Sequence, residues 1–98
     1  MTTTRADSLQ EEFFTTNGKL YINFEQVEKT DEDGNIFWEM KTLEVADRRT
    51  AYSEIITYYE KEQLRPLREL AIDSTNEFAL NKVKFINEQI AKYRNESK

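Results

Sequence analysis

Apolar residues alternate with polar ones along two stretches in the first half of the chain, and they recur every three or four residues through most of the second half. The alternating stretches are Gly18 to Lys29 (GKLYINFEQVEK) and Asn35 to Val45 (NIFWEMKTLEV), both rich in β-branched and aromatic side chains. A period of two marks a strand with one face buried. Between the two lies Thr30-Asp31-Glu32-Asp33-Gly34, and Asp-Gly joining two such runs predicts a β-hairpin. A two-residue Asp33-Gly34 loop sets Val27 opposite Met40, Phe24 opposite Leu43 and Ile22 opposite Val45. A four-residue loop from Asp31 to Gly34, with Gly34 left-handed, sets Val27 opposite Trp38 and Ile22 opposite Leu43, and it keeps Glu28 away from Glu39. Sequence does not choose between these registers. The apolar phase of each run changes midway, from Leu20, Ile22 and Phe24 to Val27 and from Ile36, Trp38 and Met40 to Leu43 and Val45. Either the ribbon buries one face near its base and the other near its tip, or it carries a bulge.

Helix signals flank the ribbon. Ser8-Leu9-Gln10-Glu11 reads as a capping box, with Leu9 and Phe13 one turn apart and Asn17-Gly18 as a stop, which predicts a short N-terminal helix. After the ribbon, Asp47 is placed to cap a helix in which Tyr52, Ile55, Ile56 and Tyr59 recur at helical spacing. Pro66 interrupts it and pushes Arg65 from helical geometry, so a kink or break is expected there, with Leu67, Leu70 and Ile72 on a second short helix. Ser74-Thr75-Asn76-Glu77 reads as another capping box, opening a last helix to about Arg94. Its stripe is Ala79, Val83, Ile86, Ile90 and Tyr93, and Phe78 and Phe85 widen it enough to meet more than one neighbour.

The expected fold is therefore α+β: a short N-terminal helix, one antiparallel β-hairpin, then two or three helices, in a single small domain over 1–98. Residues 1–17 form the arm and short helix, 18–45 the hairpin and 46–98 the helical part. Two strands alone are marginal in water, so the hairpin either lies on its own helices or pairs edge to edge with another chain.

Composition removes much chemistry. The 98 residues include no Cys and no His, which excludes disulfides, thiolate catalysis and the commonest general base and transition-metal ligand. The two glycines, Gly18 and Gly34, make no phosphate-cradling loop, and no Ser stands in a nucleophile elbow. Glu25 and Glu39, on opposing strands, are the one carboxylate pair with a conceivable acid–base role, but so small a domain has little material for a cleft. An EF-hand register with Gly34 at the sixth position places Lys29 first and Met40 last, where carboxylate ligands are required. No catalytic, cofactor or metal site is predicted. No run is long enough for a membrane span, and the start MTTTRADS lacks the apolar core of a signal peptide, so a cytoplasmic location is expected.

Charge is uneven within a net of −5. Residues 1–45 hold four cations against ten carboxylates, whereas residues 46–98 hold ten against nine. The acid lies on the hairpin and its approach, which disfavours a phosphate backbone and favours a basic partner surface. Arg48, Arg49, Arg65 and Arg68 are interleaved with Asp47, Glu62 and Glu69 and suit pairing along a helix. The expected partner-binding residues are Phe37 and Trp38 as anchors near the tip, with Glu28, Asp31, Glu32, Asp33 and Glu39 as an acidic rim that steers a basic partner.

The functional expectation is a non-enzymatic structural or interaction protein that acts through protein partners in a homo- or hetero-oligomer. A small subunit of a larger assembly fits best, such as a phage connector, decoration or completion protein, because small Cys-free chains rich in Lys, Asn and Glu are common among phage proteins. The location would then be the virion. The alternative is a free acidic binder or inhibitor that imitates nucleic acid and occupies a basic groove.

Overall fold

The computed structural model describes residues 1–96, and the backbone divides into two compact units, Met1–Arg48 and the chain from Arg49 onward. The first unit is an antiparallel sheet of four strands: β1 (Thr2–Ala6), β2 (Phe13–Thr16), β3 (Lys19–Thr30) and β4 (Ile36–Val45), in the order β1-β4-β3-β2. The second is built from two helices, α1 (Arg48–Ile72) and α2 (Glu77–Glu96). The class is α+β, as expected.

The predicted N-terminal helix is absent, and two edge strands stand in its place. Asn17 and Gly18 have φ of 51° and 75°, so both central residues of the turn are left-handed. That is the type I′ geometry which matches strand twist, and Asn-Gly is its preferred sequence. The turn sets Thr16 opposite Lys19 and Phe13 opposite Ile22. A helix stop uses one left-handed residue; two in succession fold the chain back as a hairpin. Ser8 and Glu11 cap nothing, because residues 7–12 carry the chain across the sheet from one edge strand to the other.

The central hairpin has its turn where Asp-Gly predicted it, but neither proposed loop. Asp31 N donates to Asn35 O at 2.9 Å and Gly34 N to Asp31 O at 3.1 Å, leaving Glu32-Asp33-Gly34 as a three-residue loop with Gly34 left-handed at φ 82°. Near the tip Thr30 pairs with Ile36 and Val27 with Glu39; near the base Ile22 pairs with Leu43 and Leu20 with Val45. The register slips by one between Phe24 and Val27, at a bulge where Glu25 is left-handed (φ 51°). The bulge accounts for the change of apolar phase along β3. Below it Leu20, Ile22, Phe24, Leu43 and Val45 share one face, of which Ile22, Phe24 and Val45 are buried.

On the opposite face Asn23, Met40 and Thr42 are buried beneath the crossing segment. Asn23 N donates to Glu12 O at 2.7 Å and Asn23 Nδ2 to Glu11 O at 2.9 Å. Its Oδ1 accepts from Thr42 Oγ1 at 2.8 Å, and Thr42 in turn meets Thr4 Oγ1 on β1 at 3.0 Å. Gln26 binds the segment a second time, its amide accepting from Gln10 N and donating to Gln10 O, both at 2.9 Å.

Within the second unit, α1 and α2 run antiparallel. Tyr93 lies 5.4 Å from Tyr52 and 6.4 Å from Tyr59, centroid to centroid, Gln63 donates to Asn87, and Glu60 meets Arg94 at 3.8 Å. The buried residues are Ala51, Ile55 and Tyr59 on α1 and Ala79, Ile86, Ile90 and Tyr93 on α2; Val83 is half-buried. The expected break at Pro66 does not occur. Helix α1 continues to Ile72 with Pro66 buried inside it, so packing of the ring offsets the missing backbone donor, and among the described residues the helical part has two helices, the lower of the two expected numbers. The α2 cap is Asn76, not Ser74: Asn76 Oδ1 accepts from Ala79 N at 3.0 Å. Asp73 instead holds Thr75, whose backbone N–H and hydroxyl both donate to it. These bonds hold its carboxyl below the ordinary aspartate value.

Candidate interaction ribbon

The tip of the β3–β4 ribbon reaches past its neighbours. Strand β1 ends with Ala6 opposite Trp38, and β2 pairs only with Lys19 to Ile22. Among the described residues, no strand covers the outer edge of β3 from Val27 to Thr30, which leaves that edge open to another strand.

The two faces of the tip differ in chemistry. On one, Phe37, Glu39 and Val27 lie together, and Glu39 is held between Lys29 Nζ at 2.8 Å and Arg5 Nε at 3.6 Å. The hydrogen bond from Lys29, joined by the positive charges of Lys29, Arg5 and Lys41, keeps the Glu39 carboxyl below the ordinary glutamate value. The Arg5 guanidinium also sits over the Phe37 ring, 5.0 Å from its centroid. On the other face are Trp38, half-buried, and Ile36, exposed. Phe37 and Trp38 therefore occupy opposite faces, each half-buried.

The acidic residues fall into three groups. Glu28, Glu32 and Asp33 are exposed around the turn. Asp31 is exposed too, but its Oδ1 accepts from Asp33 N and Asn35 N, both at 2.9 Å, so this carboxylate braces the loop. Glu39 stands apart from the turn, its charge balanced by two cations. Glu25, at the bulge, is ion-paired with Lys41, so both carboxylates of the sequence-level pair are engaged by cations on the sheet. Among the described residues no cluster of three or more acidic side chains is arranged to hold a metal ion, and no helix is long and apolar enough to cross a membrane.

Sequence reasoning missed two features. Val27 and Ile36 are exposed apolar residues at the tip, although the alternating pattern reads as burial along the whole ribbon. Beneath the crossing segment lies an open hollow of about 340 Å³, bordered by Thr4, Ala6, Gln10, Phe14, Asn23 and Met40. No local signal announces it, since its walls come from all four strands and the segment above them. In the arginine cluster, Arg65 pairs with Glu69 one turn away at 3.3 Å as expected, whereas Arg48 lies over Phe13 of β2, 4.9 Å from the ring centroid. No known family model, curated protein or solved structure matches this chain.

Proposed function

We propose that this protein is a non-enzymatic interaction protein, a small subunit of a larger assembly of the phage connector, decoration or completion kind, and that the β3–β4 tip is where it meets a basic partner. One observation carries the reading: the tip projects past both edge strands while placing exposed Val27 and Ile36 and half-buried Phe37 and Trp38 beside the free carboxylates of Glu28, Glu32 and Asp33. Apolar anchors ringed by charge of one sign suit a partner of the opposite sign. The rings and aliphatic groups supply affinity, while the carboxylates act mainly on the rate of encounter.

Site-resolved crosslinking tests this. A photoreactive residue at position 32 or 36, installed in the protein in its native cells, should give a discrete adduct, whereas one at Thr15 on the β2 edge should not. Reversing the charges of Glu28, Glu32 and Asp33 to Lys should remove the adduct. Equal yields from the tip and from Thr15, or an adduct indifferent to charge reversal, would refute the reading.

A further inference from the structure

The half of the helix pair nearest its connecting turn leaves large apolar side chains in the open. Ile72 is 83% exposed, Phe78 77% and Phe85 41%. Phe78 and Phe85 are seven residues apart, two turns of one helical stripe, so they form a ridge along α2. At the foot of that ridge lies an open recess of about 320 Å³, lined by Glu62, Arg65, Pro66, Glu69, Phe78 and Lys82. Ridge and recess thus occur on the same surface. A two-fold contact needs a surface that carries both, because each copy must offer what the other receives.

We propose that this surface binds a second copy of the same chain, the Phe78–Phe85 ridge of each copy packing against the recess of the other. This contact uses residues of the second unit alone and does not depend on the role given to the ribbon tip.

Charge selects this occupant. Residues 1–48 hold five cations against eleven carboxylates, so two sheet units repel. Residues 60–85 hold five cations and five carboxylates, so the apolar ridge lies in a segment that carries no net charge. The signs are also mixed at close range, with Arg65 paired to Glu69 at 3.3 Å and Lys82 sharing the recess with Glu62 and Glu69. A helix that lies on an anionic lipid surface has a predominantly basic polar face instead. The phenylalanines of two copies bring on the order of 500 Å² of exposed ring, taking about 200 Å² per ring. That is a large share of the ~1,200 Å² at which stable interfaces begin, and it describes a weak, reversible dimer.

Sedimentation equilibrium of the full chain, from micromolar to sub-millimolar concentration, tests the proposal. The wild type should pass reversibly from monomer to dimer and keep its association constant in high salt. Phe78→Ser and Phe85→Ser should each shift the midpoint at least tenfold upward with circular dichroism unchanged, and Phe78→Ser should also leave melting unchanged because that residue is 77% exposed. Leu64→Ser is the control: Leu64 is exposed but sits two residues from Pro66, on the far side of α1 from the recess, and should leave the dimer intact. Charge reversal at the ribbon tip should also leave it intact, so failure here is separable from failure of the ribbon. A monomer at every concentration overturns the proposal. So does a dimer that survives Phe78→Ser, or a monomer that instead co-sediments with phosphatidylglycerol vesicles through the same phenylalanines.

Discussion

Replacing Asn23 by Ala should destabilise the protein far more than replacing Gln26 by Ala, although both amides bind the segment that crosses the sheet. The side chain of Asn23 gives one hydrogen bond to Glu11 O and accepts one from Thr42 Oγ1, on a residue only 6% exposed. Truncation leaves Thr42 Oγ1 without this partner in a buried place and Glu11 O without its own in a part-buried one. A hydrogen bond contributes about 1 kcal/mol net, and a group left unpaired in a buried place costs about 1–3 kcal/mol. Thr42 keeps its bond to Thr4, which limits the damage, so a loss of about 2–3 kcal/mol is expected. For a chain of this size that lowers the melting temperature by roughly 10–20 °C. Gln26 also makes two bonds, but both are exposed and water replaces them, so Gln26→Ala should cost under about 1 kcal/mol. Thermal unfolding followed by far-ultraviolet circular dichroism measures both. If the two variants melt within a few degrees of each other, the crossing segment is not held by a buried amide and the account of that face is wrong.

Two further outcomes follow from the same reasoning. The Glu39 carboxyl, hydrogen-bonded by Lys29, should titrate below the ordinary glutamate value by NMR; since the folded value is the lower one, its contribution to stability is full above the unfolded value and fades as pH falls through the folded one. Lys29→Met should move the titration upward and flatten this acid dependence. Ile86 is 1% exposed on the inward stripe of α2, so Ile86→Ala should cost about 2–4 kcal/mol in a denaturant titration, and a loss under about 1 kcal/mol would mean the stripe packs loosely.

What the sequence revealed divides by the range of the interaction involved. The turn at Asp33-Gly34 and the stripe Ala79, Ile86, Ile90 and Tyr93 rest on neighbours one turn or a few residues away, and both were legible. Strand β1 was not, because Thr2-Thr3-Thr4 has no apolar alternation and is made a strand by pairing with Thr42, Lys41 and Met40. At Asn17-Gly18 two local readings competed, helix stop and hairpin turn, and strand pairing decided between them. At Pro66 tertiary burial overrode a local rule. The ribbon tip was identifiable from turn chemistry and charge, but the balancing of Glu39 by Arg5 could not be foreseen while β1 was read as an arm.

The order β1-β4-β3-β2 also constrains how the protein comes off the ribosome. Strand β1 is made before its partner among the described residues, which lies some forty residues downstream, Thr2 opposite Thr42. The Asn17-Gly18 hairpin is complete as soon as β3 is made, and the β3–β4 ribbon soon after. Throughout that interval β1 lacks the strand it pairs with, whereas the segment behind it can already bond Asn23 and Gln26 of β3; β1 then adds to a three-stranded sheet. Non-local closure of this kind is slow relative to hairpin formation, so the nascent chain passes through a state in which the outer edge of β4, later shielded, is open to other chains.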